Sequence, residues 1–348
     1  MKRFAYVGCR TTKERGARGK GIEIYAMHDL TGGWKHVGTQ GDLVNPSFLT
    51  LDKTGEYLYA IHGDFSEISA FRVNRETGLL SPLGQQSTEG ENPVYLIPDS
   101  SNTFILVANL QTGSVVALPR NADGSLGKVR HKAMIPGIKE GDISHPHQII
   151  YDRAEKHLFV PSQGRKAGYT KTTVFAFDPE KGFEAKSVLH TRERAEARHV
   201  AVHPGNQFVY LINEKDNTVC FHTYDACAGE LTPVQIVSTI PEFYTGNGWA
   251  SGIAITGDGR HVYASNRTHD SVTMYRVNPG DGTLSTIGWV SSQGKTPRFL
   301  TIDPQSRFVY VANENSDTIL TFRIEDNGNL TYTGQTIDTG SPVCIIFS

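Results

Sequence analysis

Short runs in which valine, isoleucine, phenylalanine and tyrosine alternate with small or polar residues recur along the whole chain. Between them stand clusters of Asp, Asn, Gly, Ser and Pro that supply turn geometry. The clearest copy runs TPRFLTIDP (296–304), RFVYVAN (307–313), DTILTFRIE (317–325) and LTYTGQTID (330–338). The alternation and the β-branched and aromatic content predict four short strands. The same order is read in NPSFLTLDK, EYLYAIH, EISAFRV and LLSPLG (45–84), and in ARHVAVHP, QFVYLIN, TVCFHTY and LTPVQIV (197–237).

An aromatic residue or leucine in the second strand marks each copy, at Tyr6, Tyr59, Leu106, Phe159, Tyr210, Tyr263 and Tyr310, with spacings of 53, 47, 53, 51, 53 and 47 residues. A unit of that size cannot bury its own apolar face, so copies must stack. The chain starts on a second-strand pattern, RFAYVG (3–8), and finishes on a first-strand pattern, SPVCIIFS (341–348). Pairing the two removes the exposed sheet edges a linear array would leave. The predicted fold is therefore all-β: a seven-bladed β-propeller of four-stranded antiparallel blades, closed by the N- and C-terminal strands. No linker or compositional break separates the repeats, so residues 1–348 are read as one propeller domain.

Charge adds little to this picture. The 34 basic and 36 acidic residues give a formal charge of −2 and a pI near 6.7, which supplies no electrostatic reason for nucleic-acid binding. The four cysteines, at 9, 220, 227 and 344, have no metal-ligand cadence. No segment approaches the ~18 consecutive apolar residues of a membrane span, and the first residues lack a signal-peptide pattern. The expectation is a cytoplasmic protein with free thiols, no membrane partner, no cofactor and no metal. The pattern sets no oligomeric state.

Candidate chemistry lies where polar residues interrupt the repeat. Twelve positions before each anchor stand Ser47, Val94, His147, Arg198, Ser251 and Arg298, with Val343 in the closing copy. Four positions after each anchor stand Arg10, Gly63, Leu110, Gln163, Glu214, Arg267 and Glu314. In a propeller both registers approach one mouth of the central channel, so His147, Arg198, Glu214, Arg267, Arg298 and Glu314 can converge, either as a site or as ties between blades. SHPHQ (144–148) adds His145, which shares a face with His147 if the segment is strand-like. A histidine near its reference pKa exchanges protons at neutral pH, whereas zinc would require further ligands that have no cadence here. Trp249 in GNGWAS can stack on a substrate or pack a blade junction. Asp52, Asp99, Asp152 and Asp303 share a register that points to turn hydrogen bonding. The basic stretch 162–172, with Arg165, Lys166 and Lys171, can contact phosphate or remain a solvated loop.

SHPHQ, ARHVAVHP with LINE, ASNRTHDSVTMY, and GKTPRFLTIDP with VANENSDTI resemble the seven-bladed lactonase family, which includes bacterial 6-phosphogluconolactonases and fungal carboxy-cis,cis-muconate cyclases. The motifs are dense in the second half, and the spacing of the first three blades follows the same architecture. The resemblance implies a hydrolase of carbohydrate metabolism that opens a small anionic sugar lactone, foremost 6-phosphoglucono-delta-lactone in the pentose phosphate pathway. It leaves open carboxymuconate cyclisation, and the fold alone leaves open a non-enzymatic binding propeller. It points to His147, Arg198, Glu214 and Arg267 as the central catalytic or substrate-binding residues, with His145 close behind on the substrate; Arg298, Glu314 and Trp249 are substrate-binding candidates by their positions. The general base is open between Glu214 and His147. Glu314 departs from the family, which often has glutamine there, and this puts phosphate recognition in question.

Overall fold

The computed structural model describes residues 3–28 and 30–348. They form seven antiparallel sheets arranged as the blades of a propeller. We number the blades in chain order from Pro46, blade 1 containing Pro46–Leu51, Tyr57–His62, Glu67–Val73 and Leu80–Ser87. Blade 7 is completed by both ends of the chain, in the order Pro342–Phe347, Phe4–Cys9, Ile22–His28, Gly33–Gln40. Antiparallel pairing of Tyr6 with Ile346 and Val7 with Ile345 closes the ring, as the terminal half-patterns predicted. All four cysteines are unpaired, and among the described residues no helix is long and apolar enough to cross a membrane.

The anchors that betray the repeat are buried, and four of them bind the next blade. The hydroxyls of Tyr59, Tyr210, Tyr263 and Tyr310 donate to the carbonyls of Gly124, Gly282, Gly328 and Gly32, at 2.9, 2.9, 3.0 and 3.0 Å. Each acceptor glycine sits in the turn before an outer strand. Gly124, Gly282 and Gly328 have φ of 87, 78 and 87°, and a Cβ there would run into Tyr57, Phe221 and His261. Glycine is required both by the left-handed backbone and by the close approach of the preceding blade. The Asp register is structural as well: Oδ1 of Asp52, Asp99, Asp152 and Asp303 accepts the backbone N–H groups four and five residues on. Asp52 and Asp152 also accept from Asn102 and Asn206 of the following blades.

One feature of the inner strands decides what reaches the channel. Where each of them begins its pairing, six of the seven inner strands lose register by a β-bulge, which falls at Ser47, Val94, Arg198, Ser251, Arg298 and Val343. A bulge leaves an extra residue unpaired and re-aims its side chain. The twelve-before register is thus the bulge register. Blade 3 differs: its inner strand is broken into His145–Pro146 and Ile150–Tyr151, with His147 in the gap, its N–H donating to Pro161 O at 2.9 Å. Pro146 has no N–H to give to a ladder, which favours the break.

Candidate active site

At one mouth of the channel the two registers meet around Glu214, the first residue after the second strand of blade 4 (Phe208–Asn213). Its Oε2 accepts from Arg198 Nε at 3.1 Å and from Gln163 Nε2 at 3.1 Å, and pairs with Arg267 Nη2 at 3.1 Å. Its Oε1 accepts from Trp249 Nε1 at 2.6 Å. Arg198 Nη1 is fixed by Ser251 O at 2.8 Å, and Arg267 Nη2 by Ala250 O at 2.9 Å. The Trp249 ring has two cations against it, its centroid 4.1 Å from Lys215 Nζ and 4.5 Å from Arg267 Cζ. Burial pushes the Glu214 carboxyl up, but Arg267 and Arg198 outweigh it and hold the group at about 2. Burial pulls Arg267 down to about 10, with Glu214 opposing, so it remains a cation at neutral pH.

Across the mouth, Glu314 occupies the same register in blade 6. Its Oε1 is 3.2 Å from Arg10 Nε and its Oε2 3.6 Å from Arg298 Nη1. Arg10 turns its Nη1 to Asp64 Oδ2 at 3.1 Å, and Arg15 also binds Asp64. The Arg298 guanidinium forms no hydrogen bond among the described residues and is 22% exposed.

His147 is buried between these groups. Its ring meets that of His199 edge to face, with centroids 5.2 Å apart, and its Nδ1 has no partner among the described residues. Burial, then the positive charge of Arg198 and Arg298, holds its pKa well below 6.5, so the ring is neutral at neutral pH. His145 turns elsewhere, its Nδ1 2.8 Å from Leu110 O in blade 2. The two histidines of SHPHQ have separate neighbours because the strand that would have aligned them is interrupted. Among the described residues no group of three or more His, Cys, Asp or Glu side chains is arranged to hold a metal ion.

The sequence profile described as lactonase, seven-bladed β-propeller, matches residues 4–347. The chain belongs to the seven-bladed lactonase family. It is 30% identical over 313 residues to the 6-phosphogluconolactonase of Bacillus subtilis, covering 88% of each chain. The periplasmic gluconolactonase of Pseudomonas aeruginosa superposes with a TM-score of 0.90 at 25% identity, over 100% of this chain and 99% of that one. A Lactobacillus plantarum protein superposes with a TM-score of 0.89 at 26% identity, over 100% of both. The chain is thereby a homologue of 6-phosphogluconolactonase-like propeller enzymes.

Within this lactonase-family ring, the structure gathers His147, Arg198, Glu214, Arg267 and Trp249 with Arg298 and Glu314, and sets His145 against blade 2. It also brings in side chains that charge and spacing did not single out. Gln163 and Arg10 lie in the four-after register, and their contacts with Glu214 and Glu314 depend on which blades adjoin. His199 stands one residue past the bulge, in a register that also holds Phe48, Tyr95, Gln148, Gly252, Phe299 and Cys344. The rings of Phe48, Tyr95, Phe299 and His199 pack together, Phe48 on Tyr95 at 4.1 Å, Phe48 on Phe299 at 5.8 Å and Tyr95 on His199 at 5.5 Å, and form an aromatic floor below the arginines. Arg198 Nη1 lies 3.3 Å from His199 Nδ1, joining the floor to the charged layer. Its place directly after Arg198, one position past the bulge, is the signal that could have found it.

Proposed function

We propose that the protein hydrolyses a sugar δ-lactone, with 6-phosphoglucono-delta-lactone as the foremost substrate. The observation that carries this reading is a neutral, buried imidazole with an unpartnered nitrogen, His147, set among guanidinium groups of which one, Arg298, has no hydrogen-bond partner. Lactone hydrolysis requires that pair of functions: a base for water, and a cation for the oxygen that becomes negative.

In this mechanism His147 takes a proton from water as the water oxygen bonds to the lactone carbonyl carbon. Arg298 offsets the charge on the carbonyl oxygen of the tetrahedral intermediate. The intermediate collapses with cleavage of the bond from that carbon to the ring oxygen, which receives the proton held by His147 and becomes the free hydroxyl. The acid so formed releases its remaining proton to solvent, and the product carboxylate is held by the same cation until it leaves. Both oxygens of Glu214 are engaged, unlike His147 Nδ1, so the carboxylate has no free position from which to take a proton from water. Its role in this reading is to hold Arg198 and Arg267 in place. Homology to the Bacillus subtilis 6-phosphogluconolactonase supports the substrate class.

The test is the initial rate on freshly generated 6-phosphoglucono-delta-lactone, corrected for spontaneous opening, for the native chain and His147→Ala. Acceleration that drops by about 10²–10⁴-fold in a variant with native circular dichroism is the expected result. No acceleration by the native protein overturns the substrate assignment, and undiminished turnover by the variant overturns His147 as base.

A further inference from the structure

The channel behind the mouth is divided. Below the charged layer, the inner strands of blades 2 to 6 line a cavity of about 220 Å³, with Gln148, Arg153 and Thr301 among apolar side chains on its wall. It has room for water and polar groups to hold it. His199 is on that wall, whereas among the described residues that form it His147, Arg198 and Arg298 do not appear. His199 therefore stands in the partition between this cavity and the base of the mechanism above. Its ring is 5% exposed, meets His147 edge to face at 5.2 Å, and is flanked by Tyr95 at 5.5 Å and Phe48 at 6.5 Å.

The two histidines are also fixed relative to one another through the backbone. Gln148 Oε1 accepts the Val200 N–H at 2.6 Å, so the residue after His147 is bonded across the blade boundary to the residue after His199. Blade 3 has lost its inner ladder at this point, and the bond registers the gap against blade 4. The charges facing His147 are of one sign: Arg198 from blade 4, Arg298 from blade 6 and Arg267 from blade 5. Glu214 and Glu314 are paired with these arginines. His199 is itself held well below 6.5, by burial first and then by Arg198 and His147, so it adds no charge at neutral pH. What its imidazole contributes is shape, exclusion of water and an acceptor for Arg198 Nη1 at 3.3 Å. Phe48 and Phe299, in the same register of blades 1 and 6, can supply the first two but not the third.

We propose that His199 is the positioning residue of the base: its ring fixes the plane of the His147 imidazole and seals it from the lower cavity, so that water reaches His147 from the mouth alone. This role rests on the lactone reading, whereas the state of the His147 ring can be measured without turnover. Two variants separate the wall from the hydrogen bond. His199→Ala opens the partition, and His199→Phe keeps a ring but removes the acceptor. The His147 ring is followed by NMR titration of its Cε1–H signal, and kcat and KM are measured on freshly generated 6-phosphoglucono-delta-lactone. In His199→Ala, water admitted from below relieves the burial of His147 and screens the arginines. Its titration midpoint is therefore expected to rise towards 6.5, with kcat reduced by about 10–100-fold and KM changed by less than about threefold. His199→Phe is expected to keep the native midpoint and to return kcat to within about fivefold of native, the residue being the lost hydrogen bond to Arg198. His199→Val, which opens the partition with less loss of packing, takes the place of the alanine variant if that does not fold. A lower unfolding midpoint with unchanged titration and kcat overturns the proposal. So does a phenylalanine variant as impaired as the alanine one, since the acceptor and not the wall would then matter. A His147 midpoint that shifts in His199→Ala and returns in His199→Phe, in a protein that turns over no lactone, supports the positioning of His147 and overturns the lactonase reading instead.

Discussion

Glu214 and Glu314 occupy the same repeat position on two sides of one channel mouth, yet their surroundings differ. Glu214 has two arginines, a glutamine and a tryptophan around its two oxygens, and the arginine side chains are only 4 and 5% exposed. Glu314 has Arg10 at 3.2 Å and Arg298 at 3.6 Å, the latter open to the channel. A carboxylate whose every oxygen is used holds its cations still; one at the edge of contact leaves a cation available. The difference divides the mouth into a scaffold half, which keeps buried charges in register, and a working half, where Arg298 has donors to spare for a substrate oxygen.

The largest expected effect is on the scaffold half. Glu214→Gln keeps the volume but leaves two buried guanidinium groups without a countercharge, and the expected cost is about 3–5 kcal/mol of stability by urea unfolding at neutral pH. The pH dependence carries the same information. Because the native carboxyl is held at about 2, below its ordinary value of 4.5, its contribution is fully present above 4.5 and is lost as pH falls towards 2. The stability gap between native protein and variant is expected to be constant from pH 7 to about 5 and to narrow below 4.5. A gap that does not narrow in acid would mean that the charge on Glu214 is not what stabilises this half.

On the working half the balance between stability and rate reverses. Arg298→Ala removes one long, partly exposed ion pair, worth about 0–1 kcal/mol to the fold. If Arg298 meets the developing oxyanion, kcat falls by about 10²–10³-fold. The discriminating measurement is the pair of numbers: unfolding midpoint and kcat on the same preparation. A variant that loses stability and keeps its rate would place Arg298 with the scaffold and remove the distinction.

The contrast between the halves was only partly visible in the chain. The ring itself was legible because it is built from local alternation and from anchors repeated often enough to be counted, and the tyrosine hydroxyls turn that count into bonds between blades. The polar positions were legible by register, since counting back from an anchor lands on the bulge even when the bulge is unseen. What the register could not convey was who meets whom. Glu214 finds Trp249 and Gln163 through blade adjacency, Glu314 finds Arg10 through ring closure, and their unequal grip on neighbouring arginines is a matter of ångströms. The interrupted inner strand of blade 3 hid the separation of His145 from His147, because alternation alone assigns both to one face. His199 was hidden because its register is mixed, holding aromatic, glutamine, glycine and cysteine side chains with no other ionisable imidazole to mark it.

The smallest expected effect is also the sharpest test of the contrast. Glu314→Gln places in this mouth the residue that the family resemblance leads one to expect, and it differs from Glu214→Gln only in where the carboxylate is lost. Arg10 keeps Asp64 at 3.1 Å, and Arg298 is already solvated, so neither cation is stranded and the fold should lose under about 1 kcal/mol. Substrate binding should move in the favourable direction, because a negative charge facing Arg298 competes with an incoming anion. At an effective dielectric near 20, and with partial screening, relief of that competition is worth up to about 1 kcal/mol, a roughly two- to fivefold fall in KM for an anionic lactone at low salt. The gain should shrink as ionic strength rises, and KM for an uncharged lactone should change less. If Glu314→Gln instead destabilises the protein as strongly as Glu214→Gln, the two carboxylates are equivalent ties between blades. Arg298 would then be held as firmly as Arg198, leaving it no freedom to follow charge onto a substrate oxygen.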